Sequence, residues 1–131
     1  MSTRRPLEFQ AFPAALAAVC QFGPYRGIVR HVTDGDTLDV LLDLGFQSYT
    51  YVTVRVRGVN APERNTSGGK AAQAYVRQLL PPGTPVALVS HQDPQTFGRY
   101  VAEVRLDRDG SVVDLGTHLV DAGHAVRSVW A

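Results

Sequence analysis

The sequence predicts a mainly β domain with a few short helices. From Tyr25 onward, apolar residues alternate with polar ones in several short segments, which is the period of half-buried strands. Turn signals such as Asp-Gly and Pro-Pro-Gly separate these segments. The 131 residues are 44% hydrophobic and 19% charged, which is sufficient for one packed core. Five strands interrupted by one helix favour a small five-stranded barrel of the OB type.

Five segments carry the alternating pattern, and the third is the clearest. In that segment Val52, Val54 and Val56 share one face. Arg55 and Arg57 belong to the opposite face, so the strand is expected to be half buried. The predicted strands are residues 27–32, 37–44, 51–57, 86–91 and 100–106.

Residues 69–80 are predicted to form a helix between the third and fourth strands. Thr66 or Ser67 would cap its first turn, and the Pro-Pro-Gly turn at residues 81–83 would end it. Its apolar face has the i, i+3, i+4, i+7 spacing and consists of Ala72, Tyr75, Val76 and Leu79.

A second short helix is expected near the end of the chain. Asp114 is suited to cap it, and Leu115 and Leu119 would form its buried side. Gly123 would end it, so the barrel is predicted to carry two or three short helices when the arm described next is included.

Residues 1–24 are predicted to form an arm with a short helix that starts near Pro13. The basic start of the chain could open a signal peptide, but Glu8 and Gln10 interrupt the apolar run. No small-residue cleavage site follows. We therefore expect a cytoplasmic protein rather than a secreted one, with a single domain at residues 25–131.

Composition excludes several classes of protein. No apolar run approaches the ~20 residues that a membrane span needs, so we expect no membrane partner. The single cysteine, Cys20, excludes a disulfide framework and a cysteine-based zinc site. The net charge is only +1, so any affinity for nucleic acid has to come from local placement of charge.

Two carboxylates lie close together in the turn Asp34-Gly35-Asp36-Thr37. Hard oxygen ligands of this kind suit calcium or magnesium. The same pattern is also typical of an ordinary Asp-Gly turn between strands, so it does not identify a metal site alone.

An arginine and a glutamate flank the next loop. Arg55 lies on the polar face of a valine-rich strand, where it is either a surface residue or a fork for a phosphate. Glu63 follows Pro62, which fixes the local backbone. Its carboxylate is therefore either a solvated loop group or a general base that acts on water.

A third motif, Phe97-Gly98-Arg99, opens the last long strand. Such an aromatic can stack on a base while the arginine reaches a phosphate. The alternative is an apolar plug at the strand entry beside an exposed arginine.

These three motifs, in this order on this strand pattern, resemble the staphylococcal nuclease (thermonuclease) family. The resemblance runs from about Tyr25 to Trp130 and includes the closing segment Leu119-Val120-Asp121-Ala122-Gly123. It implies an OB-type barrel flanked by helices. It also implies calcium-dependent hydrolysis of phosphodiester bonds in DNA and RNA, which makes nucleic acid the expected partner.

The resemblance also assigns a metal site. Asp36 would bind the calcium ion, Asn60 would occupy the second side-chain ligand position, and the carbonyl group of Ala61 would supply a backbone ligand. Asp34 and Thr37 would support these ligands without touching the metal. Asn60 replaces an aspartate of the family's founding member, so we expect calcium to bind weakly.

The remaining assignments concern the substrate. Glu63 would be the general base, and Arg55 and Arg99 would grip the phosphate. Phe97, which replaces a tyrosine, would still stack on the substrate. The alternative is a nuclease-like domain that binds nucleic acid or protein with little or no cleavage. In either case we expect a monomer.

The family's last helix has no counterpart before Ala131. We expect the N-terminal arm to cover the barrel in its place, through Phe9, Phe12, Leu16 and Val19.

Overall fold

The computed structural model describes residues 8, 11–17, 22–91 and 100–128. The strands in these ranges are β1 (Tyr25–Asp34), β2 (Thr37–Asp43), β3 (Tyr49–Val56), β4 (Val59–Asn60), β5 (Pro85–His91), β6 (Tyr100–Arg108), β7 (Ser111–Asp114) and β8 (Val126–Arg127). The helices are α1 (Ala14–Ala17), α2 (Ser67–Leu79) and α3 (Leu115–Asp121).

Five strands close into a barrel, as the sequence predicts. The sheet order is β3-β2-β1-β5-β6, with β7 added beyond β6. Neighbouring strands in this order are antiparallel, and a parallel pairing of β3 with β6 closes the ring. The barrel is therefore of the OB type, with helices outside it.

The barrel is filled by aliphatic side chains. Val54 and Val56 of β3 are buried, which confirms the face predicted from the alternation. Thr37 is a polar residue that is also buried, and it lies at the end of the barrel that carries the site described below. Other fully buried members of the core are Val29, Leu38, Val40, Val59, Val76, Leu80, Val104, Leu115 and Leu119.

Helix α2 packs against the outside of β1. Thr66 caps the helix, because its hydroxyl oxygen accepts a hydrogen bond of 3.0 Å from the Gly69 N–H. Two side chains then fix the helix to the strand: Gln73 Nε2 donates to the Thr33 carbonyl at 2.7 Å, and Arg77 Nε donates to the Val32 carbonyl at 3.2 Å. The predicted apolar face of α2 is confirmed, with Ala72 and Val76 buried and Tyr75 and Leu79 packed at its edge.

Asp114 caps α3 as predicted, by accepting a hydrogen bond of 2.9 Å from the Thr117 N–H.

Several predicted boundaries were wrong. β1 is longer at both ends than residues 27–32, because it pairs with β2 on one side and with β5 on the other. β2 ends at Asp43 rather than at residue 44, since Leu44 already donates to the Ser48 carbonyl across the hairpin loop. The short strands β4, β7 and β8 were missed, because strands of two to four residues have too little periodicity to detect.

Helix α1 confirms the predicted short helix in the arm, whereas the expected cover of the barrel stays a prediction. Helix α1 has four residues, barely one turn, and a helix this short presents little apolar surface. Phe12 remains 40% exposed and Leu16 remains 53% exposed. Phe9 and Val19 lie outside the described residues.

No helix in the described part of the chain is both long and apolar enough to cross a membrane.

Candidate functional site

One end of the barrel carries an open cleft of about 630 Å³. The β1–β2 turn, the end of β3, the strand β4 and the loop before α2 form its walls. Its lining residues are Asp34, Asp36, Thr37, Arg55, Asn60, Ala61, Pro62, Glu63, Arg64 and Asn65. Every predicted site residue within the described ranges therefore lines this single cleft. Phe97 and Arg99 lie outside the described residues.

Asp36 is held by both of its carboxylate oxygens. Thr37 Oγ1 donates to Oδ1 at 3.1 Å, and the Ala61 N–H donates to Oδ2 at 3.0 Å. The second bond joins residues 25 positions apart, so it ties the β1–β2 turn to the segment after β4. Each carboxylate oxygen has a second lone pair, so the group can still bind a cation.

The turn around Asp36 requires a glycine at position 35. A Cβ atom there would lie 2.8 Å from the Cβ of Ala72 and 3.0 Å from the Cβ of Ala61. The turn is therefore wedged between helix α2 and the loop that carries Asn60 and Ala61. This close packing explains why the predicted ligands meet.

Asp34 has one buried oxygen that lacks a hydrogen-bond donor. Oδ1 is shielded from solvent and has no hydrogen-bond partner, although Arg64 Nε lies 3.6 Å away as an ion-pair partner. A buried carboxylate oxygen without a donor is costly, so this atom favours a cation or water in the cleft. Arg64 was not singled out from the sequence; its position directly after Glu63 was the available signal.

Arg55 is half buried and directed along the cleft wall. Thr37 of β2 is its neighbour across the ladder. Its Nη2 atom donates to the Val59 carbonyl at 3.2 Å, which fixes one end of the guanidinium group. A guanidinium has five N–H donors, so the others remain free for an anion.

Glu63 is exposed at the cleft rim on a firmly held loop. Its carbonyl oxygen accepts from the Thr66 N–H at 3.0 Å and from Thr66 Oγ1 at 2.6 Å. A Cβ on Gly69 would collide with the same carbonyl oxygen, so the helix start and the loop are in direct contact. The backbone of Glu63 is thus positioned by the capping residue of α2.

The cleft is lined by oxygen groups of the type that a hard cation takes. It offers the carboxylate of Asp36, the side-chain amide of Asn60 and backbone carbonyl groups, which are oxygen ligands of the type that calcium takes. Among the described residues no group of three or more His, Cys, Asp or Glu is arranged to hold a metal. A single aspartate with an amide and a carbonyl does not make such a group.

The sequence has a detectable relative among known proteins. It is 31% identical over 117 residues to Endonuclease YhcR of Bacillus subtilis (strain 168). The match covers 79% of this chain and 9% of that protein, so the chain corresponds to a small part of its relative. No family model matches the chain. Within the stretch that it covers, this chain is thus similar to part of a bacterial endonuclease.

Proposed function

We propose that this protein is a metal-dependent nuclease that hydrolyses phosphodiester bonds of DNA or RNA, as in the thermonuclease family. The observation that carries the proposal is the convergence of Asp36, Arg55, Asn60 and Glu63 in one open cleft. These residues come from separate elements of the chain. The similarity to a bacterial endonuclease supports the same reaction class.

Arg55 is proposed to bind the scissile phosphate. Its guanidinium group is held at one end by the Val59 carbonyl and presents its remaining donors to the cleft. Negative charge grows on the phosphate oxygens as water attacks, and preorganised donors stabilise that charge. Arg99 is proposed as the second arginine, and Phe97 as the group that stacks on a neighbouring base.

Glu63 is proposed to remove a proton from the attacking water. Water is a poor nucleophile until a positioned base accepts its proton, which is worth about 10²–10⁴ in rate. The side chain of Glu63 is exposed in the cleft, so water reaches it freely. Its backbone is held by Thr66, which limits the positions that the carboxylate can take.

Calcium is the proposed cofactor, held by the Asp36 carboxylate, the Asn60 amide oxygen and the Ala61 carbonyl. When bound, it supplies positive charge that neutralises the phosphodiester. Asp34 Oδ1 lines the same cleft and is buried without a hydrogen-bond donor, with Arg64 Nε 3.6 Å away as its ion-pair partner. This unmet negative charge supports a cation at this place. With a single charged ligand, the affinity is expected to be millimolar, on the order of 10⁻⁴–10⁻³ M.

One observation favours a second candidate, a domain that binds nucleic acid or protein without cutting it. Both oxygens of Asp36 already accept hydrogen bonds from the chain, and Asn60 brings no charge to the site. An amide can also donate to a neighbouring oxygen, in which case the polar groups would satisfy one another without a metal.

The test is a cleavage assay with single- and double-stranded DNA and RNA. Purified protein is incubated with each substrate in calcium or in excess chelator. A Glu63→Gln preparation purified in the same way controls for contaminating nucleases. We expect calcium-dependent cleavage that the variant nearly loses. Cleavage that is equal in both preparations, or that persists in chelator, contradicts the proposal; binding without cleavage supports the second candidate.

A further inference from the structure

A second cavity, of about 380 Å³, lies beside the cleft. It is formed at the end of β3 by the outer face of β6, the start of α3 and the strand β8. Three arginines line it, Arg57, Arg105 and Arg127, together with the carboxylates of Glu103 and Asp114. We call it the arginine cavity. It is far larger than the roughly 30 Å³ that one water molecule occupies.

Both carboxylates of the arginine cavity are already engaged by the protein. Glu103 Oε2 lies 2.9 Å from His91 Nε2, and its Oε1 lies 3.9 Å from Arg105. Asp114 Oδ2 caps helix α3 by accepting from the Thr117 N–H at 2.9 Å. Each acid therefore already has a partner of its own within the chain.

Two of the arginines keep open donors. Arg57 is exposed, and within the described ranges its guanidinium group has no hydrogen bond or close ion pair. Its charge acts on Glu103 only at longer range. Arg127 Nη2 donates to Thr117 Oγ1 at 3.3 Å, which leaves its other donors available. The cavity thus presents two guanidinium groups that have N–H donors available. A pair of parallel N–H donors on a guanidinium group matches two oxygens of a phosphate.

Two connections along the backbone place the arginine cavity next to the cleft. Arg55 lines the cleft and Arg57 lines the cavity, two residues or about 7 Å further along the extended chain. The β4–β8 ribbon also joins them, because Asn60 lines the cleft while its neighbour Val59 pairs with Arg127. A polymer strand that leaves the cleft at Arg55 therefore meets Arg57 next.

We propose that the arginine cavity binds a backbone phosphate of the same nucleic-acid strand whose scissile phosphate lies in the cleft. This inference rests on the proposed function and adds a substrate subsite to it. The subsite supplies affinity for long strands, since backbone contacts dominate nucleic-acid affinity. It holds no general base, so it takes no part in the bond-breaking step.

The experiment measures binding by fluorescence anisotropy with the Glu63→Gln chain, which would not cut the probes. The probes are a single-stranded dinucleotide, whose one internucleotide phosphate occupies the cleft, and a dodecanucleotide, which reaches beyond it. Arg57→Glu, Arg57→Gln and Arg127→Glu are compared with Arg30→Glu. Arg30 is exposed on β1 and lines neither cavity, so this control carries the same charge change. Circular dichroism confirms that each variant is folded.

We expect Arg57→Glu and Arg127→Glu to weaken dodecanucleotide binding about 10- to 100-fold, as for a lost charged hydrogen bond. The slope of log affinity against log salt is negative, and Arg57→Gln should bring it closer to zero by about 0.7. This is the change expected for the loss of one single-strand phosphate contact. Binding of the dinucleotide should not change, because it has no second internucleotide phosphate to reach the arginine cavity.

Equal weakening by Arg30→Glu, equal weakening for both probes, or no weakening at all would overturn the subsite. In the last case an acidic protein segment would be a better candidate for the cavity. Cleavage by the wild-type chain distinguishes a failure of the subsite from a failure of the proposed function. If the wild-type chain cleaves the dinucleotide while the arginine variants bind like the parent, only the subsite fails. If it cleaves nothing while those variants lose affinity, the hydrolysis fails and the subsite stands.

Discussion

The cleft and the arginine cavity are lined by residues only two positions apart at the end of β3, but they differ in the sign of their charge. The cleft combines three carboxylates, Asp34, Asp36 and Glu63, with the guanidinium groups of Arg55 and Arg64. The arginine cavity reverses this ratio, with three arginines and two carboxylates. Excess carboxylate suits the binding of a cation and the activation of water, whereas excess guanidinium suits the holding of an anion.

The difference teaches that net charge hides the relevant electrostatics. The whole chain has a formal charge of +1, which predicts no affinity for nucleic acid. Yet Arg55 and Arg57, two residues apart, enter opposite electrostatic surroundings. Function in this fold therefore depends on where β3 ends and on which elements close around that end.

Among the variants that test the cleft apart from its general base, the largest effect is expected from Arg55→Ala. Loss of a preorganised donor to the developing charge should lower kcat by about 10²–10³. Arg55→Lys should restore only part of this loss, because an ammonium group lacks the planar fork. Arg30→Ala is the matched control for the lost charge. Thermal unfolding shows whether the loss of the hydrogen bond to the Val59 carbonyl destabilises the fold. If Arg55→Ala and Arg30→Ala are equally active, the cleft does not bind the reacting phosphate.

Asn60→Asp tests the cation site. A second carboxylate among the ligands should tighten calcium binding by about one to two orders of magnitude, because calcium affinity follows the charge of the ligands. Isothermal titration calorimetry measures the change. Asn65→Asp adds the same charge in the same cleft at a position not assigned as a ligand. Equal tightening by the two variants would show general electrostatics rather than coordination, and calcium binding by neither variant would exclude the site.

Thr66→Ala tests how Glu63 is positioned. The change removes a helix cap, which costs about 1 kcal/mol in the free energy of unfolding. It also removes one of the two hydrogen bonds to the Glu63 carbonyl, leaving only the bond from the backbone N–H of residue 66. We expect a lower urea midpoint and a reduced kcat. Thr84 makes the same local bonds, to the Pro81 carbonyl, outside the cleft. A fall in kcat of the same size in Thr84→Ala would mean that Thr66 acts through stability alone.

The smallest effect concerns Glu103 in the arginine cavity. The hydrogen bond from His91 lowers the pKa of this carboxyl below its ordinary value of 4.5, and the charges of Arg105 and Arg57 add to that while burial opposes it. The folded chain therefore releases the proton more readily than the unfolded chain. The resulting stabilisation is present above pH 4.5 and disappears as the pH falls through the lowered pKa.

Urea unfolding at neutral and at acidic pH measures this contribution. Glu103→Gln should lose less stability on acidification than the wild type, because it has no such proton to bind. Asp121→Asn, an exposed carboxylate outside both cavities, is the control. If the acid sensitivity of Glu103→Gln equals that of the wild type, Glu103 is not held as described.

Local rules accounted for most of the elements. The alternation in β3, the cap at Thr66 and the cap at Asp114 are decided by residues close in sequence, and each was predicted. The β4–β8 pairing was not, because Val59 and Arg127 meet only through the closure of the whole fold.

The same distinction applies to the two cavities. The residues of the cleft were grouped through a resemblance to a family whose motifs are short and local. Arg57, Arg105 and Arg127 come from three elements with no common spacing, so no sequence pattern groups them. Their arrangement became visible only in three dimensions.

The most direct test of the central claim compares kcat and KM for Glu63→Gln and Arg57→Glu on the dinucleotide and the dodecanucleotide. If the cleft performs the chemistry and the arginine cavity holds the strand, Glu63→Gln lowers kcat by about 10²–10⁴ on both substrates. Arg57→Glu then raises KM for the dodecanucleotide alone. The account is contradicted if both variants change the same kinetic parameter on both substrates, because the two cavities would then not divide the work.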